Sequence, residues 1–482
     1  MNIEDTIERI RAAHGNPQKR ALATVEIVLA AHEPGLRAAL EAAAVPHWFT
    51  PAILRAMLET DESGTRRYFE DLTQLPMVET FAAREGWNVH ELTRIALRAN
   101  LIENNPDHFQ QLSVRAASCF GGKEPHQLIE AIYHRLIAAP EQAVGELTAL
   151  YNSWSGGGRQ ELLQALGIAL AELLKAAPLA PLARAQSLLR YGQMSIDRRP
   201  GSELEPLVKE AVALFQGSGD EFGEAVAHDL LGDIFYDRGQ LAEAFEEFAA
   251  HQQIVRTLNG RNPEDTLLRG ELAVSHNKAG SIYERQKRPE EALREYEAAW
   301  KIRMQLVSQE PDNPDWQRDL SISHGNLGCI YQAQGRIEEA LRQCEADKRI
   351  MQKLAQQDPD NTKWQRDLSF CHNSVGRIYE SQNRAEDALR EYQEARRVVL
   401  ALAQGDPGKT LWQRDLSVSD NNVGGILESL GDLSGATAMY RQGLELIERL
   451  LKLDPTNHRW QWDKEFSQRQ LNRVQEKPDL RV

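Results

Sequence analysis

Through most of this chain apolar residues return every three or four positions, the period of helices that bury one face. The pattern is clearest over residues 316–357, WQRDLSISHGNLGCIYQAQGRIEEALRQCEADKRIMQKLAQQ, which predicts two helices with a short break at Gly335. Pro311, Pro359, Pro407 and Pro455 punctuate the chain where second helices of this kind must stop. The string WQRDLS begins at Trp316, at Trp364 and again at Trp412, each time 48 residues on.

The same offset aligns much more. Gly232, Gly280, Gly328, Gly376 and Gly424 share a column, followed by Phe235, Tyr283, Tyr331, Tyr379 and Leu427. In the second helix come Ala244, Ala292, Ala340, Ala388 and Ala436, then Phe248, Tyr296, Cys344, Tyr392 and Tyr440. Small residues sit where backbones must approach, and large ones fill the space opposite. Five units are expected: 220–267, 268–315, 316–363, 364–411 and 412–459. One hairpin cannot bury its own apolar face, so the units must stack into a solenoid with a continuous core. The fold class is therefore mainly α. Residues 460–482, opened by Trp460 and strongly polar, are expected to cap the stack.

The order Leu327-Gly328-x-x-Tyr331, then Gly335 and Ala340, resembles the tetratricopeptide (TPR) repeat, and the resemblance covers about residues 220–459. The usual TPR unit has about 34 residues. The additional residues here lengthen both helices, by about 10 Å each. Trp316, Trp364 and Trp412 then fall on the extension of the first helix, where each can cover the end of the preceding second helix. Arg318/Asp319, Arg366/Asp367 and Arg414/Asp415 are expected to tie successive units by charge pairing. The alternative is that the tryptophans form an exposed ligand-binding ladder. Three departures stand out: Cys344 replaces an aromatic, Asp347 stands where Ala299 and Ala395 do, and the first unit lacks the tryptophan. The first two put packing within the third unit in question.

A TPR superhelix turns its first helices inward, and the resemblance implies a concave groove that holds a polypeptide. The inward stripe reads Asp229/Asp233, Asn277/Ser281/Glu284, Asn326/Gln332, Asn373/Arg377/Glu380 and Asn421/Glu428. A carboxamide both donates and accepts, so it can bond a peptide backbone whatever the peptide's side chains. Asn277, Asn326, Gln332, Asn373, Arg377 and Asn421 are the candidate partner-binding residues. Solvation, or bonding to adjacent helix ends, is the competing reading for the asparagines. A histidine column, His228, His276, His324 and His372, ends in Asp420. One histidine per repeat is too sparse for shared metal coordination, so inter-repeat packing is the expectation and no metal is assigned.

The amino-terminal third follows another pattern. Residues 1–34 predict helices, and 35–122 predict three short helices and a two-stranded wing, Met77–Phe81 with Trp87–Val89 about Glu85-Gly86, before a further helix. Three helices and a hairpin describe a winged helix. Residues 1–110 carry eleven Lys and Arg against sixteen Asp and Glu, and Arg66 and Arg67 share their helix with Glu70 and Asp71. A DNA reader normally presents a basic face. The elements Leu75–Glu79 and His90–Leu92, and the order of helices through residue 137, look like the winged-helix module of STAND signalling ATPases. In that family the module leads into helical repeats that sense a partner. No G-x-x-x-x-G-K-[ST] phosphate loop occurs in the sequence, so ATP hydrolysis is not carried over. Residues 123–219 predict irregular helical hairpins, broken at Gly156–Gly158 and Pro200-Gly201.

Composition narrows the function classes. A net charge of −15 repels nucleic-acid backbones and anionic lipid. Four dispersed cysteines, Cys119, Cys329, Cys344 and Cys371, form no C-x-x-C pair and read as buried thiols. No run reaches the ~18 apolar residues of a membrane span, and the first residues, MNIEDTIERIRAAHG, lack a secretion signal. A cytoplasmic location is expected. There is no catalytic constellation to assign, and no cofactor. The reading is a protein-interaction scaffold or sensor in bacterial signalling or defence, with a protein or peptide partner and neither nucleic acid nor membrane. The alternative is a transcriptional regulator whose winged helix binds DNA and whose repeats sense a peptide. Oligomeric state is left open.

Overall fold

A computed structural model describes residues 15–30, 32–196, 199–453, 455 and 457–476. Residues 1–14 of the helices expected over 1–34, and the last residues of the expected cap, lie outside these. The chain divides into two compact units, residues 1–155 with 159–240, and residues 156–158 with 241–482. The boundary falls at Gln240/Leu241, within the span 220–267 expected to form the first repeat.

In the first unit α1 (Pro17–Leu29), α2 (Pro34–Ala44), α3 (Pro51–Leu58) and α4 (Glu62–Thr73) precede a hairpin of β1 (Val78–Phe81) and β2 (Gly86–Val89). The helices α5 (Glu91–Asn104) and α6 (Pro106–Cys119) follow. Helix starts are set by side-chain caps: Asn16 accepts from the Lys19 amide, Thr50 from Ile53 and Asp61 from Gly64. The antiparallel register runs from Val78 opposite Val89 to Phe81 opposite Gly86. Glu85 turns the hairpin in the left-handed region, at φ 49°. Phe49, just before α3, exchanges two backbone hydrogen bonds with Trp87 (2.7 and 2.9 Å), which fastens the hairpin to the helices. A Cβ on Gly86 would lie 2.7 Å from the Phe49 carbonyl oxygen, so only glycine permits this approach. Leu36, Leu40, Phe49, Leu54, Leu72, Val89 and Leu97 form the core beneath it. The helices α7 (Pro125–Ala138), α8 (Pro140–Gly156), α9 (Gln160–Ala176), α10 (Pro181–Ser195), α11 (Gly201–Ser218) and α12 (Glu221–Asp237) complete the unit.

The second unit is an array. After α13 (Leu241–Arg261) come four hairpins, α14 (Thr266–Arg285) with α15 (Pro289–Gln309), α16 (Pro314–Ala333) with α17 (Ile337–Gln357), α18 (Thr362–Ser381) with α19 (Ala385–Gly405), and α20 (Thr410–Ser429) with α21 (Leu433–Leu453). The helix α22 (His458–Gln475) closes it. Within each hairpin the glycine column is met by the second-helix column. A Cβ at Gly280, Gly376 or Gly424 would come within 2.5–2.9 Å of the Tyr296, Tyr392 or Tyr440 ring. The three tyrosine hydroxyls donate back to Glu284, Glu380 and Glu428 at 2.9–3.1 Å. In the third unit Cys344 is fully buried against Gly328, so packing is kept there. What is lost is the hydroxyl bond, and Gln332 stands in place of its glutamate acceptor.

Each letter of WQRDLS has a contact that explains it. Trp364, 7% exposed, packs with Met351 and Leu354 of α17; Trp412, 6% exposed, packs with Val399 and Ala403 of α19. Trp316 is partly buried, its ring 3.0 Å from where a Cβ on Gly270 would stand. These tryptophans cover the preceding repeat and do not form an exposed ladder. Gln365 donates to the Ala355 and Pro359 carbonyls (3.0 and 3.3 Å), and Gln413 to those of Ala403 and Pro407 (3.2 and 3.4 Å). Ala355 and Ala403 carry helix-terminal carbonyls that no amide of their own helix can reach. Arg318 pairs with Asp367 (2.8 Å), Arg366 with Asp415 (2.6 Å) and Arg414 with Asp463 (2.6 Å). Each link joins one first helix to the next, as the sequence predicts, except that Asp319 has Gly270 where its arginine would stand and makes no such link. Leu320, Leu368 and Leu416 are buried, and Ser417 donates to the Gly443 carbonyl at 2.8 Å.

On α22 the string becomes WQWDKE. Asp463 still receives Arg414, but Lys464 and Glu465 replace the buried leucine and serine, which gives this helix the polar face that ends a core.

Trp364→Ala should cost about 3–5 kcal/mol by removing a buried aromatic, read as a lower midpoint in denaturant unfolding of the full chain. Arg414→Ala strands Asp463, which is 4% exposed, and should cost about 3 kcal/mol. In a double-mutant cycle Arg414→Ala/Asp463→Ala should recover a measurable part of that loss, and strict additivity would count against the pairing.

Candidate partner-binding surface

The first helices approach one another directly at α16/α18 and at α20/α22, and the Arg366–Asp415 pair links α18 to α20, so the unpaired faces from α16 to α22 adjoin. The six expected binding residues lie in four columns of these helices and meet different fates. Asn277 is buried; with its amide oxygen turned toward Arg303 of α15 it accepts from Nη2 at 3.1 Å. Asn421 is buried too and donates to Ser467 Oγ of α22 at 2.8 Å. Asn373 is partly exposed and accepts from Asn422 of the next repeat at 3.2 Å. Asn326 belongs one position further along, in the column of Lys278, Ser374 and Asn422, and is partly exposed, as is Gln332. Arg377 is exposed, its nearest side-chain bond a 3.4 Å contact to Ser374 Oγ. The column therefore mixes internal bonding, between and within repeats, with open positions.

A stripe not singled out in the sequence runs beside them. Val274, Ile322, Phe370, Val418 and Phe466 place one part-exposed or exposed apolar side chain on every first helix. Phe370 is 43% exposed, with the Arg366 guanidinium 4.7 Å above its ring. At the α22 end Trp462, 59% exposed, takes the arginine's place and stacks on Phe466 at 5.7 Å. The signal was available in the 48-residue columns: an apolar residue recurs seven positions before Arg377 and its equivalents, outside the buried stripe.

The histidine column bonds within its own hairpins. His276 Nδ1 lies 2.7 Å from Glu295, His324 Nδ1 2.6 Å from Gln343, and His372 Nδ1 2.6 Å from Glu391. Links to the preceding repeat exist as well: the His324 ring meets Trp300 edge-on at 6.2 Å between centroids, Lys348 reaches Glu391 at 2.7 Å, and where Asp420 replaces histidine it takes Arg396 directly at 2.5 Å. The expected inter-repeat packing is thus joined by bonds between the two helices of one repeat. Among the described residues no cluster of metal-binding side chains occurs. The four cysteines are free, and burial pushes the Cys344 thiol up to about 12, which makes it inert at neutral pH.

Asp347 is a buried carboxylate that stands where the other three hairpins have Ala299, Ala395 and Gly443. Gly325 replaces the asparagine column opposite, and a Cβ there would lie 3.1 Å from Asp347 Oδ2. Burial, only partly offset by hydrogen bonds from Ser321 and Cys371, pushes its pKa up to about 6. In the amino-terminal unit Arg66 is paired with Glu70 at 3.0 Å and Arg67 with Glu33, so the helix α4 offers no free arginine pair.

With this geometry the class of protein follows. Residues 325–360 and 421–459 match the family model of the tetratricopeptide repeat. A STAND protein with a tetratricopeptide repeat sensor, PH0952 from Pyrococcus horikoshii, is similar over 98% of this chain and 70% of its own, at 12% identity and a TM-score of 0.50. The apo form of the quorum sensor NprR from B. thuringiensis is similar over 82% of this chain and 97% of its own, at 12% identity and a TM-score of 0.44. No curated protein matches in sequence. The chain is a helical repeat protein, and its third and fifth repeats carry the stretches that match the tetratricopeptide model. The likeness to PH0952 is one of fold; it includes the helix-and-hairpin region as well as the repeats. Among the described residues no helix is long and apolar enough to cross a membrane.

Because the folded pKa of Asp347 lies above that of an unfolded aspartate, its folded form holds a proton more tightly. The resulting stability is present in acid and is lost as pH rises through about 6. Asp347→Ala, the residue found in two neighbouring repeats, should raise the melting temperature at pH 8 and flatten its fall between pH 4 and pH 7, roughly two pKa units of linkage or about 3 kcal/mol at most. Scanning calorimetry at three pH values checks both.

Proposed function

We propose that the chain is a protein-interaction scaffold or sensor in bacterial signalling or defence, which grips a partner polypeptide along the first-helix surface of its TPR array. The supporting observation is the conjunction of an exposed guanidinium, Arg377, with the apolar stripe through Phe370 seven residues earlier on the same helix face. An apolar side chain of the partner would sit on Phe370 while Arg377 takes an acidic group or a backbone carbonyl. Asn326, Gln332 and Asn373 flank this point and supply amide contacts to an extended backbone. Asn277 and Asn421, engaged inside the array, would act through its rigidity. The amino-terminal module, with its acidic balance, serves as an adaptor between the sensor and a signalling partner, and the protein works in the cytoplasm without catalysis.

The experiment is capture of partners by the full chain and by Phe370→Ala/Arg377→Glu, followed by titration of a retained partner. The double variant should keep the wild-type melting temperature, since both side chains are open to solvent. It should lose at least tenfold in affinity, and unchanged affinity would move the site elsewhere.

A further inference from the structure

Outside the repeats, one cluster of charged side chains serves none of the roles above. His47, in the link between α2 and α3, has Nδ1 2.8 Å from Glu130 Oε2 of α7 and Nε2 3.1 Å from Glu172 Oε2 of α9. From α5, Arg94 Nη1 and Arg98 Nη1 donate to Glu172 Oε1 at 2.9 and 3.1 Å. Tyr133 Oη of α7 lies 3.4 Å from the same oxygen and is itself bonded by Arg98. His134, buried on α7, donates its share to Glu130 at 3.2 Å.

Four donors from three elements thus converge on one carboxylate that a fourth element, α9, supplies. The walls are buried: the side chains of Arg98, Arg94 and Glu130 are 1%, 7% and 4% exposed, whereas Glu172, 27% exposed, borders on solvent. The cradle also has capacity to spare, because Arg98 Nε is buried and bonds nothing. Both nitrogens of His47 face carboxylates, which requires a proton on each. Burial opposes that charge, but Glu130 and Glu172 outweigh it and raise the His47 pKa, while burial lowers that of His134. Three cations, His47, Arg94 and Arg98, therefore face two carboxylates. A dianion in place of the Glu172 carboxylate would cancel the excess charge; a monoanion would not. Two arginines and an imidazolium are also the donor set that a tetrahedral phosphate, with three accepting oxygens, can saturate.

We propose that His47, Arg94, Arg98 and Tyr133 form a binding site for a phosphate group, which Glu172 occupies as an internal stand-in until a phosphorylated ligand displaces it. Such a site would couple ligand arrival to the release of α9 from α5 and α7, within the one unit that holds them all.

The test is thermal melting of the full chain in inorganic phosphate, in sulfate, in acetate and in chloride at matched ionic strength. Glu172→Ala should melt below wild type in chloride and regain about 3 °C or more in millimolar phosphate, with sulfate close behind and acetate weaker. Wild type should respond less, since its own carboxylate competes. Adding Arg98→Met to Glu172→Ala should abolish the gain. Should Glu172→Ala fail to fold, Glu172→Gln, which keeps the shape and loses the charge, is read in the same way. A phosphate response no greater than that of wild type in either variant overturns the site. Restoration by acetate equal to that by phosphate overturns the assignment to a dianion.

Discussion

The array depends on one constraint: no hairpin here can be stable alone, so every repeat must present to its neighbour a surface that completes it. The Arg–Asp pairs put this in its simplest form. The first helices α16, α18 and α20 each offer an arginine forward, and α18, α20 and α22 an aspartate backward, so Arg318, Arg366 and Arg414 meet Asp367, Asp415 and Asp463. Around each pair a tryptophan covers the preceding helix end and a glutamine takes up its loose carbonyl. Apolar burial supplies the energy. The polar contacts fix the register, because a shift of one residue would separate all of them together.

This dependence explains why so much of the fold could be read from one sequence. A period of 48 residues places the same side chain in the same environment several times, so the chain serves as its own alignment. The Gly280 and Tyr296 columns, the linker prolines and the charge pairing of successive units all emerge from it, whereas the sense of the Arg–Asp pairs does not. The hairpin about Glu85-Gly86 was legible for another reason, since a strand alternation broken by a turn residue is a local signal.

The surface was harder to read. Residues 325 and 326 differ by a hundred degrees around a helix, and an asparagine in either place looks the same in a string of letters. Asn277 and Asn421 turn inward because Arg303 and Ser467 wait for them, partners that lie outside the first-helix column. Phe370 was passed over because an aromatic at helical spacing is normally core. The cluster about Glu172 left no trace at all: His47, Arg94, Arg98, Tyr133 and Glu172 come from four elements with no repeated spacing, and only the packing of the chain brings them together.

The forward arginine and backward aspartate have a last consequence, for how such a protein can change length. A 48-residue segment copied in tandem between two existing rungs would arrive with the complementary half of the pair on each side. Both new junctions would be satisfied at once, with no compensating substitution. Duplication by unequal recombination is then structurally silent at the joints, and three identical WQRDLS strings are what growth by that route would leave behind.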